Sequence, residues 1–213
     1  TLDLDHVAVK VPQFSFSRLK GADPVLYVEM TSTGESACLG DSLDEAWLKA
    51  AMSSDLRLPS SSVLLSIGTE EQKVKLLDSV SGLAKAGFRL YATPGTHAFL
   101  ARRGIEAELV HKVSEDKVPS VVDVIFNRQV ECVINVPQRS ADEKTLTDGY
   151  RIRRTAADVG VPLVNDAELA RLFIRALLTV PADTLPVRPL SAYTGRAPAR
   201  AASAPTSVRQ SWA

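Results

Sequence analysis

Five short apolar runs alternate with helical patterns between residues 62 and 180, and this alternation limits the fold more than any other feature of the chain. The runs are rich in Val and Leu and lie at residues 63–65, 90–92, 108–110, 132–134 and 162–164. Between the first two runs, Val74, Leu77, Val80 and Leu83 recur at helical spacing. Short strands that alternate with helices form a parallel sheet with helices on both faces, and right-handed crossovers leave few topologies. The sequence therefore predicts an α/β domain with a doubly wound, five-stranded parallel sheet.

The last helix of this region has the clearest amphipathic pattern. Its apolar side chains follow the spacing of one buried helical face: Leu169, Leu172, Phe173, Ala176 and Leu177. Glu168 follows Asn165 by three residues, which is typical of a capping box, so we expect Asn165 to cap this helix. Earlier in the chain, Ser42 and Glu45 have the same spacing and predict a helix that starts near residue 44.

The regions on either side of the sheet domain have different compositions. Residues 1–58 combine one helix with strand patterns at 7–11, 25–30 and 36–39, and they have too few apolar side chains for a core of their own. Residues 181–213 contain five of the twelve prolines, eight alanines, four Arg and one acidic residue. Such a segment buries too little apolar surface to offset its loss of chain entropy. We therefore predict a sheet domain at 59–180 and a disordered tail or linker at 181–213, with a short basic interaction motif as the alternative for the tail.

The overall composition argues against several classes of partner. Lys and Arg together number 25, as do Asp and Glu, so no net field attracts nucleic acid or an anionic membrane. No apolar run approaches the ~20 residues of a membrane span. No apolar leader precedes Thr1, which favours a processed or excised fragment of a soluble, cytoplasmic protein.

The cysteines and histidines predict no metal site. Cys38 and Cys132 lie in apolar runs, which is typical of buried free thiols in a reducing compartment. A disulfide between them has no support in the sequence. The three histidines are too far apart for the ligand spacing of a zinc site. We expect no metal and no cofactor in this chain.

Polar side chains follow the predicted strands at their carboxyl ends, where open parallel sheets bind ligands. These junctions carry hydroxyl, amide and ammonium donors and few carboxylates: Ser66 and Lys73 after the first run, Thr93, Gly95 and Thr96 after the second, Lys112 after the third, and Asn135 after the fourth. A set of donors suits a phosphate better than a cation. The sequence therefore predicts a phosphate-binding site at this edge of the sheet.

Residues 93–96, TPGT, are the strongest single candidate for binding a phosphate. We expect Gly95 to allow a backbone conformation and a close approach that a Cβ would block. The amides at the start of the following helix favour an anion, and the hydroxyls of Thr93 and Thr96 add donors. Lys73 or Lys112 would supply the positive charge. An ordinary tight turn with a Thr cap explains the same four residues equally well, so the spacing alone leaves both interpretations open.

Two parts of the sequence resemble consecutive regions of carbamoyl-phosphate synthases. Residues 9–40, VKVPQFSFSRLKGADPVLYVEMTSTGESACLG, resemble the end of the second ATP-grasp half of these enzymes. Residues 90–96, LYATPGT, and 150–155, YRIRRT, resemble the small regulatory domain that follows it, which has a methylglyoxal-synthase-like fold. The resemblance implies that the chain is a carboxy-terminal piece of a larger enzyme, with a small α+β remnant of an ATP-grasp domain in 1–58 and the allosteric domain in 59–180.

The resemblance also implies an effector site. In the family's regulatory domain the effector phosphate is held by residues whose counterparts here include Lys73, Lys112, Thr93 and Thr96, and Asn135 lines the same pocket. Ser66 lies close to a further contact once a one-residue gap is allowed. Two departures from the family pattern concern the nucleotide more than the phosphate: Pro94, where the family often has His, and Val136-Pro137, where bacterial members have a Thr-rich segment.

Arg153 and Arg154 lie on the predicted helix after the fourth strand. The i, i+4 spacing of Arg154 and Asp158 predicts an ion pair between them. The family shares this IRR stretch, but we interpret the arginines as a solvated face or an interdomain ion pair rather than as effector contacts.

As the resemblance implies, the parent enzyme makes carbamoyl phosphate from bicarbonate, glutamine-derived ammonia and two ATP for pyrimidine synthesis. Its ATP and Mg²⁺ ligands lie upstream of this chain, so we expect no metal at the carboxylates of Asp23, Glu29 and Glu35. Val11 stands where bacterial members carry a Glu linked to ornithine binding, so ornithine control is not expected.

Three functions remain as hypotheses. The first is a non-catalytic effector-binding region that takes a uridine nucleotide or phosphoribosyl pyrophosphate and alters the activity of upstream ATP-grasp domains. The second is a free-standing methylglyoxal synthase, which needs a carboxylate base in a Gly-Gly-Asp stretch and a His after the fourth strand. Asp116 stands in Ser-Glu-Asp instead, and no His follows that strand. The third is a vestigial site in a domain that serves only packing or oligomerisation.

Overall fold

The computed structural model describes residues 4–25, 34–138, 147–181 and 185–194. The amino-terminal region contains β1 (Val7–Gln13), β2 (Gly34–Gly40) and α1 (Leu43–Ser53). The sheet domain contains the strands β3 (Ser62–Ile67), β4 (Arg89–Ala92), β5 (Glu108–Leu109), β6 (Cys132–Val136) and β7 (Leu163–Val164). The remaining helices are α2 (Glu70–Lys85), α3 (Pro94–Ala101), α4 (Val121–Phe126), α5 (Asp148–Val159), α6 (Ala167–Thr179) and α7 (Leu190–Thr194). Within the described ranges, no helix is both long enough and apolar enough to cross a membrane.

The five strands of the sheet domain form one parallel sheet in the order β5-β4-β3-β6-β7. The central strand β3 pairs with β4 on one side and with β6 on the other, so that Leu65 lies beside both Ala92 and Ile134. Each strand corresponds to one of the five predicted apolar runs. The predicted α/β fold with a five-stranded parallel sheet is confirmed.

The central strand is buried on both faces because helices cover both sides of the sheet. Leu64 and Leu65 are both fully buried, but they belong to different apolar clusters. Leu64 packs with side chains of α4 and α5, such as Ile125, whereas Leu65 packs with those of α2, α3 and α6, such as Phe99 and Phe173. Successive side chains of a strand point to opposite faces, so a continuous apolar run fills both cores.

The residue that caps α6 differs from the prediction by one position. Asp166, not Asn165, is the N-cap: its side chain accepts a hydrogen bond from the backbone N–H of Leu169 at 2.9 Å. Asn165 instead donates from Nδ2 to the backbone oxygen of Pro24 at 2.7 Å. Asn and Asp both cap helices well. Because the Asn165 side chain bonds to Pro24, which is distant in sequence, Asp166 is the residue that caps α6.

The amino-terminal region joins the core of the sheet domain. Strands β1 and β2 are antiparallel, and Val9 packs against the apolar cluster that contains Leu65. Ser42 caps α1 as predicted, since its side chain accepts from the N–H of Glu45 at 3.2 Å. Trp47 of α1 packs on Phe173 of α6, with ring centroids 5.8 Å apart. The strand predicted at residues 25–30 lies, after its first residue, outside the described residues, and the predicted domain boundary near residue 58 stays a prediction.

Residues 185–194 fall inside the predicted tail, yet they pack against the amino-terminal region. Lys49 of α1 donates a hydrogen bond to the Tyr193 hydroxyl at 3.4 Å, and Arg188 pairs with Asp41 at 2.9 Å. The anchoring side chains of this segment have partners 144 and 147 residues away in sequence. The disordered tail or linker at 181–213 stays a prediction. Residues 195–213 lie outside the described residues.

Both cysteines are free thiols. Cys132 in β6 is fully buried, and this burial raises the pKa of its thiol to about 12, although a hydrogen bond from the Val133 backbone acts in the opposite direction. Cys38 in β2 is only half-buried, and its Sγ lies 3.7 Å from the Ser53 hydroxyl oxygen. The prediction of buried thiols is therefore confirmed for Cys132 and only partly met by Cys38.

The difference in burial predicts that only Cys38 reacts rapidly with an aromatic disulfide reagent at pH 8. A thiol with a pKa of about 12 is ionised to roughly one part in 10⁴ at that pH, and the thiolate is the reactive form. We expect one equivalent to react in the native chain and a second only after unfolding in urea. A Cys38→Ser variant should lose the rapid phase, whereas its loss in Cys132→Ser would contradict the prediction.

Candidate anion-binding site

The carboxyl edge of the sheet brings together polar residues from three neighbouring strands. Ser66 of β3 lies beside Asn135 of β6, and Nδ2 of Asn135 donates to the backbone oxygen of Ser66 at 3.3 Å. Thr93 directly follows β4, and its N–H donates to the oxygen of Leu65 at 3.1 Å. The parallel register thus places these three predicted site residues at one edge, as the sequence analysis expected.

Helix α3 begins at this edge and directs free backbone amides toward it. Thr93 is the N-cap, with an extended backbone, and its hydroxyl makes no capping hydrogen bond. Pro94 occupies the first turn, where a missing N–H costs nothing because this donor has no helical partner. The N–H groups of Gly95 and Thr96 are in the same turn, and such amides, with the helix dipole, attract anions.

Gly95 does not have the unusual backbone conformation that the sequence analysis expected. The described glycines with positive φ are Gly21, Gly87, Gly104 and Gly160, whereas Gly95 has ordinary helical geometry. A Cβ at Gly95 would lie 3.8 Å from Nζ of Lys73, which is an ordinary contact distance. The expected unusual conformation of Gly95 is therefore wrong, whereas the close approach of a ligand stays a prediction. Gly95 lies next to the Lys73 ammonium.

Lys73 places a positive charge next to the start of α3. Its side chain is only 11% exposed, and Nζ lies 5.9 Å from the centroid of the Phe99 ring. Its carboxylate partner, Glu70, is 3.4 Å away and 58% exposed, and it also lies 3.5 Å from Arg102. The Lys73 side chain is therefore mostly buried, and its ammonium pairs with a solvated carboxylate.

Thr96 has a structural role that the sequence analysis missed. Its side chain is buried, and its hydroxyl oxygen accepts a hydrogen bond from the Ile67 N–H at 3.0 Å. The same hydroxyl donates to the Ile67 oxygen at 3.4 Å. A hydroxyl has one hydrogen, so the expected donation from the Thr96 side chain to a ligand conflicts with this bond. Thr96 instead fixes the start of α3 to the end of β3.

Lys112 lies at the rim of the site. It follows the edge strand β5, and its side chain is exposed. Its backbone N–H donates to the Glu115 carboxylate at 3.3 Å, and the same carboxylate oxygen lies 3.1 Å from Nδ1 of His111. These contacts hold the backbone of the turn after β5 and leave the Lys112 side chain pointing into solvent.

Arg153 on α5 is the principal site-related residue that the sequence analysis did not identify. It is 5% exposed, and its Nη1 donates to Oδ1 of Asn135 at 2.9 Å. Its Nε donates to Oδ1 of Asp23 at 2.7 Å, and its Nη2 pairs with the other carboxylate oxygen of Asp23. Of the two expected alternatives, a solvated face or an ion pair with the amino-terminal region, the structure shows the ion pair. Gly149, four residues earlier, leaves the space for this side chain, since a Cβ there would lie 3.0 Å from Nη1.

Arg154 binds the backbone of the same amino-terminal loop. Its Nη1 donates to the oxygens of Leu19 and Ala22, each at 2.9 Å, and its Nη2 to the oxygen of Phe16 at 3.1 Å. The predicted ion pair with Asp158 is confirmed at 2.5 Å. Two adjacent arginines of α5 therefore hold the loop formed by residues 16–24 through its carbonyls and through Asp23.

The amino-terminal carboxylates have cationic partners within the chain. Asp23 is bound by Arg153, and Glu35 pairs with Lys10 at 3.0 Å. Glu29 lies outside the described residues.

Comparison with known proteins finds a family match within the sheet domain. Residues 75–165 match the family model described as the MGS-like domain. The match contains five of the seven predicted site residues: Thr93, Gly95, Thr96, Lys112 and Asn135. Ser66 and Lys73 precede it.

Three relatives extend the similarity over most of the chain. Multifunctional protein CAD from Squalus acanthias is 43% identical over 195 residues, which cover 85% of this chain and 9% of that protein. Multifunctional protein URA2 from Saccharomyces cerevisiae is 43% identical over 181 residues, or 81% of this chain and 8% of the relative. The carbamoyl phosphate synthase large chain of Archaeoglobus fulgidus is 37% identical over 193 residues, which cover 90% of this chain and 18% of that protein. The resemblance to carbamoyl-phosphate synthases is confirmed, and the chain spans less than a fifth of the length of these relatives.

The contacts of the two threonines predict different effects of the same substitution. Thr96→Val leaves the buried Ile67 N–H without its partner, and we expect it to lower the free energy of unfolding by about 1–3 kcal/mol. Thr93→Val removes a hydroxyl that makes no capping bond and should cost less than about 1 kcal/mol. Urea denaturation of both variants checks this difference, and equal losses would contradict the structural role given to Thr96.

Proposed function

We propose that this chain is the effector-binding region of a carbamoyl-phosphate synthase and that it binds a phosphorylated nucleotide-type ligand at the carboxyl edge of its sheet. The observation that carries the proposal is the mostly buried Lys73 side chain, which places its ammonium beside the first turn of α3. A cation next to free helix amides is suited to a multiply charged phosphate. The names of the relatives support the identity of the parent enzyme.

The proposed binding mode assigns one kind of contact to each residue. A phosphate accepts hydrogen bonds from the N–H groups of Gly95 and Thr96 and pairs with Lys73, displacing the weakly bound Glu70 carboxylate. The Thr93 and Ser66 hydroxyls and the amide of Asn135 donate from the adjacent strand ends. Lys112 at the rim would meet a second phosphate or the rest of the ligand. Pro94 and Val136-Pro137 border the ligand where the family pattern differs, so both a uridine nucleotide and phosphoribosyl pyrophosphate, which has no base, remain candidate ligands.

The wider role follows from the same proposal. Residues 1–58 would be the end of an ATP-grasp domain, and further ATP-grasp domains upstream would use ATP and Mg²⁺ to form carbamoyl phosphate for pyrimidine synthesis. Ligand binding here would alter that activity without any turnover in this chain. A cytoplasmic location fits the free thiols, since reducing compartments keep cysteines unpaired.

The lyase hypothesis has less support than effector binding. No histidine follows β6 anywhere in the sequence, so the expected catalytic imidazole has no candidate. Asp116 is exposed, with a left-handed backbone, at the end of the short 3₁₀ turn Val113–Glu115. An exposed carboxylate without an acid partner is poorly placed to abstract a carbon-bound proton. Turnover of dihydroxyacetone phosphate that disappears in Asp116→Asn would instead support the lyase.

Calorimetric titration with UTP, UMP and phosphoribosyl pyrophosphate tests the proposal directly. We expect one of these ligands to bind, and Lys73→Ala to weaken it roughly tenfold or more, as loss of a charge-assisted hydrogen bond does. Lys75→Ala is the matched control: Lys75 lies on the same helix and pairs with Glu71 at 3.1 Å, but it is exposed. Absence of heat with all three ligands would refute effector binding and leave a packing or oligomerisation role.

The pairing of Lys73 with Glu70 predicts that removing this carboxylate strengthens binding. Glu70→Gln takes away the anion that competes with the ligand phosphate, and we expect an increase in affinity of about two- to fivefold, as for a partly exposed ion pair. Glu71, one residue further on, pairs with the exposed Lys75 instead. Glu71→Gln should therefore leave the affinity within roughly twofold of the unmodified chain, since exposed ion pairs contribute little. Titration of both variants checks the prediction, and weaker binding in Glu70→Gln would show that Glu70 supports the site.

A further inference from the structure

Arg153 determines how the Asn135 amide is oriented at the candidate site. A guanidinium only donates hydrogen bonds, so the Asn135 atom that faces Nη1 must be the carbonyl Oδ1. The amide nitrogen then faces the opposite side, where it donates to the Ser66 backbone oxygen. An amide nitrogen has two hydrogens, and this bond uses one. Arg153 therefore holds Asn135 with a donor, rather than an acceptor, directed to the carboxyl edge of the sheet.

The other side of the same guanidinium is held by the amino-terminal region. Asp23 accepts from both Nε and Nη2, a bidentate arrangement that fixes the plane of the guanidinium. The Arg153 side chain is 6% exposed and that of Asp23 is 33% exposed. Asp23 is thus the counter-charge of an almost fully buried cation, and its displacement would leave this cation unpaired, which is costly.

Asp23 belongs to a loop with further anchors on the sheet domain. The Tyr150 hydroxyl donates to the Gly21 oxygen at 2.8 Å, and Asn165 donates to the Pro24 oxygen at 2.7 Å. Arg154 binds three more carbonyls of the loop. These anchors are all hydrogen bonds to backbone oxygens, whereas Asp23 alone connects the loop through Arg153 to a residue of the site.

We propose that Arg153 is a positioning residue that couples the docking of the loop at residues 16–24 to the affinity of the phosphate site through Asn135. The inference rests on the proposed function of that site. When Asp23 holds the guanidinium in plane, Asn135 presents its N–H to the ligand; when Asp23 moves away, the guanidinium and the amide are free to turn. By linkage, a ligand that prefers the oriented amide favours the docked loop by the same factor.

A second interdomain ion pair provides a matched control. Arg175 of α6 pairs with Asp44 of α1 through two nitrogens, at 2.9 and 2.7 Å, across the same two regions. These hydrogen bonds raise the pKa of Arg175. The side chain of Asp44 is 19% exposed, so it is more buried than that of Asp23, which is 33% exposed. The arginines differ in burial, since the side chain of Arg153 is 6% exposed and that of Arg175 is 56% exposed. Of the two, Arg153 alone contacts Asn135.

The test compares Asp23→Asn with Asp44→Asn in the whole 213-residue chain, by calorimetric titration with UTP and phosphoribosyl pyrophosphate. We expect Asp23→Asn to weaken ligand binding by about fivefold or more, the lower end of typical coupling between sites, and Asp44→Asn to leave it unchanged. Arg153→Lys keeps the charge but not the bidentate fork, and it should weaken binding as Asp23→Asn does.

Hydrogen exchange in the unmodified chain gives a readout that needs no variant: ligand should slow exchange of the Arg18, Leu19 and Ala22 amides.

Each outcome separates this inference from the proposed function. Binding to the unmodified chain with equal affinity in Asp23→Asn would overturn the coupling and leave effector binding intact. Equal weakening by Asp23→Asn and Asp44→Asn would assign the effect to general loosening of the interface and also overturn it. If ligand binding leaves the hydrogen exchange of the amides of residues 16–24 unchanged, the coupling is also overturned. Absence of binding to the unmodified chain would refute the proposed function itself, and the coupling with it.

Discussion

The parallel pairing of β3 with β4 and β6 is the constraint on which the rest of the structure depends. It buries the central strands on both faces and brings their carboxyl ends to one edge. Ser66 and Asn135 are then register partners, and Thr93 follows one strand away. A slip of one residue in this register would turn Leu64 and Leu65 to the wrong cores, so packing fixes the site geometry far more firmly than any polar contact within it.

The electrostatics of the edge follow from this packing. The Lys73 side chain is mostly buried near Phe99, and the partner of its ammonium is an exposed carboxylate. Exposed pairs contribute only about 0–1 kcal/mol, so Glu70 holds the ammonium weakly. A phosphate that also accepts from helix amides would be held by more contacts. The proposed site would therefore prefer an external, multiply charged anion over its own side chain.

The sequence predicts what is decided locally and misses what is decided at a distance. The five strands, the Ser42 cap and the alignment of polar residues at the strand ends were all predictable, because periodicity and strand direction determine them. The cap of α6 was misassigned by one residue because Asn165 has a distant partner in Pro24. The packing of residues 185–194 depends on contacts with Lys49 and Asp41, which no local pattern encodes.

Within the candidate site, local sequence patterns predict the seven residues named above, whereas the contacts of Arg153 are with residues distant in sequence. Donor type and position after a strand identify Lys73, Thr93 and Asn135, but they do not reveal that the Thr96 hydroxyl is bound to Ile67. Nor do they reveal a buried arginine, because an arginine on a helix is usually solvated. Buried ion pairs contribute little net stability compared with apolar packing, and their best-attested use is to specify one arrangement among several. Under the proposed coupling, the arrangement that Asp23 and Arg153 specify is the relation between the amino-terminal loop and the Asn135 amide, which would explain why this pair lies at this place.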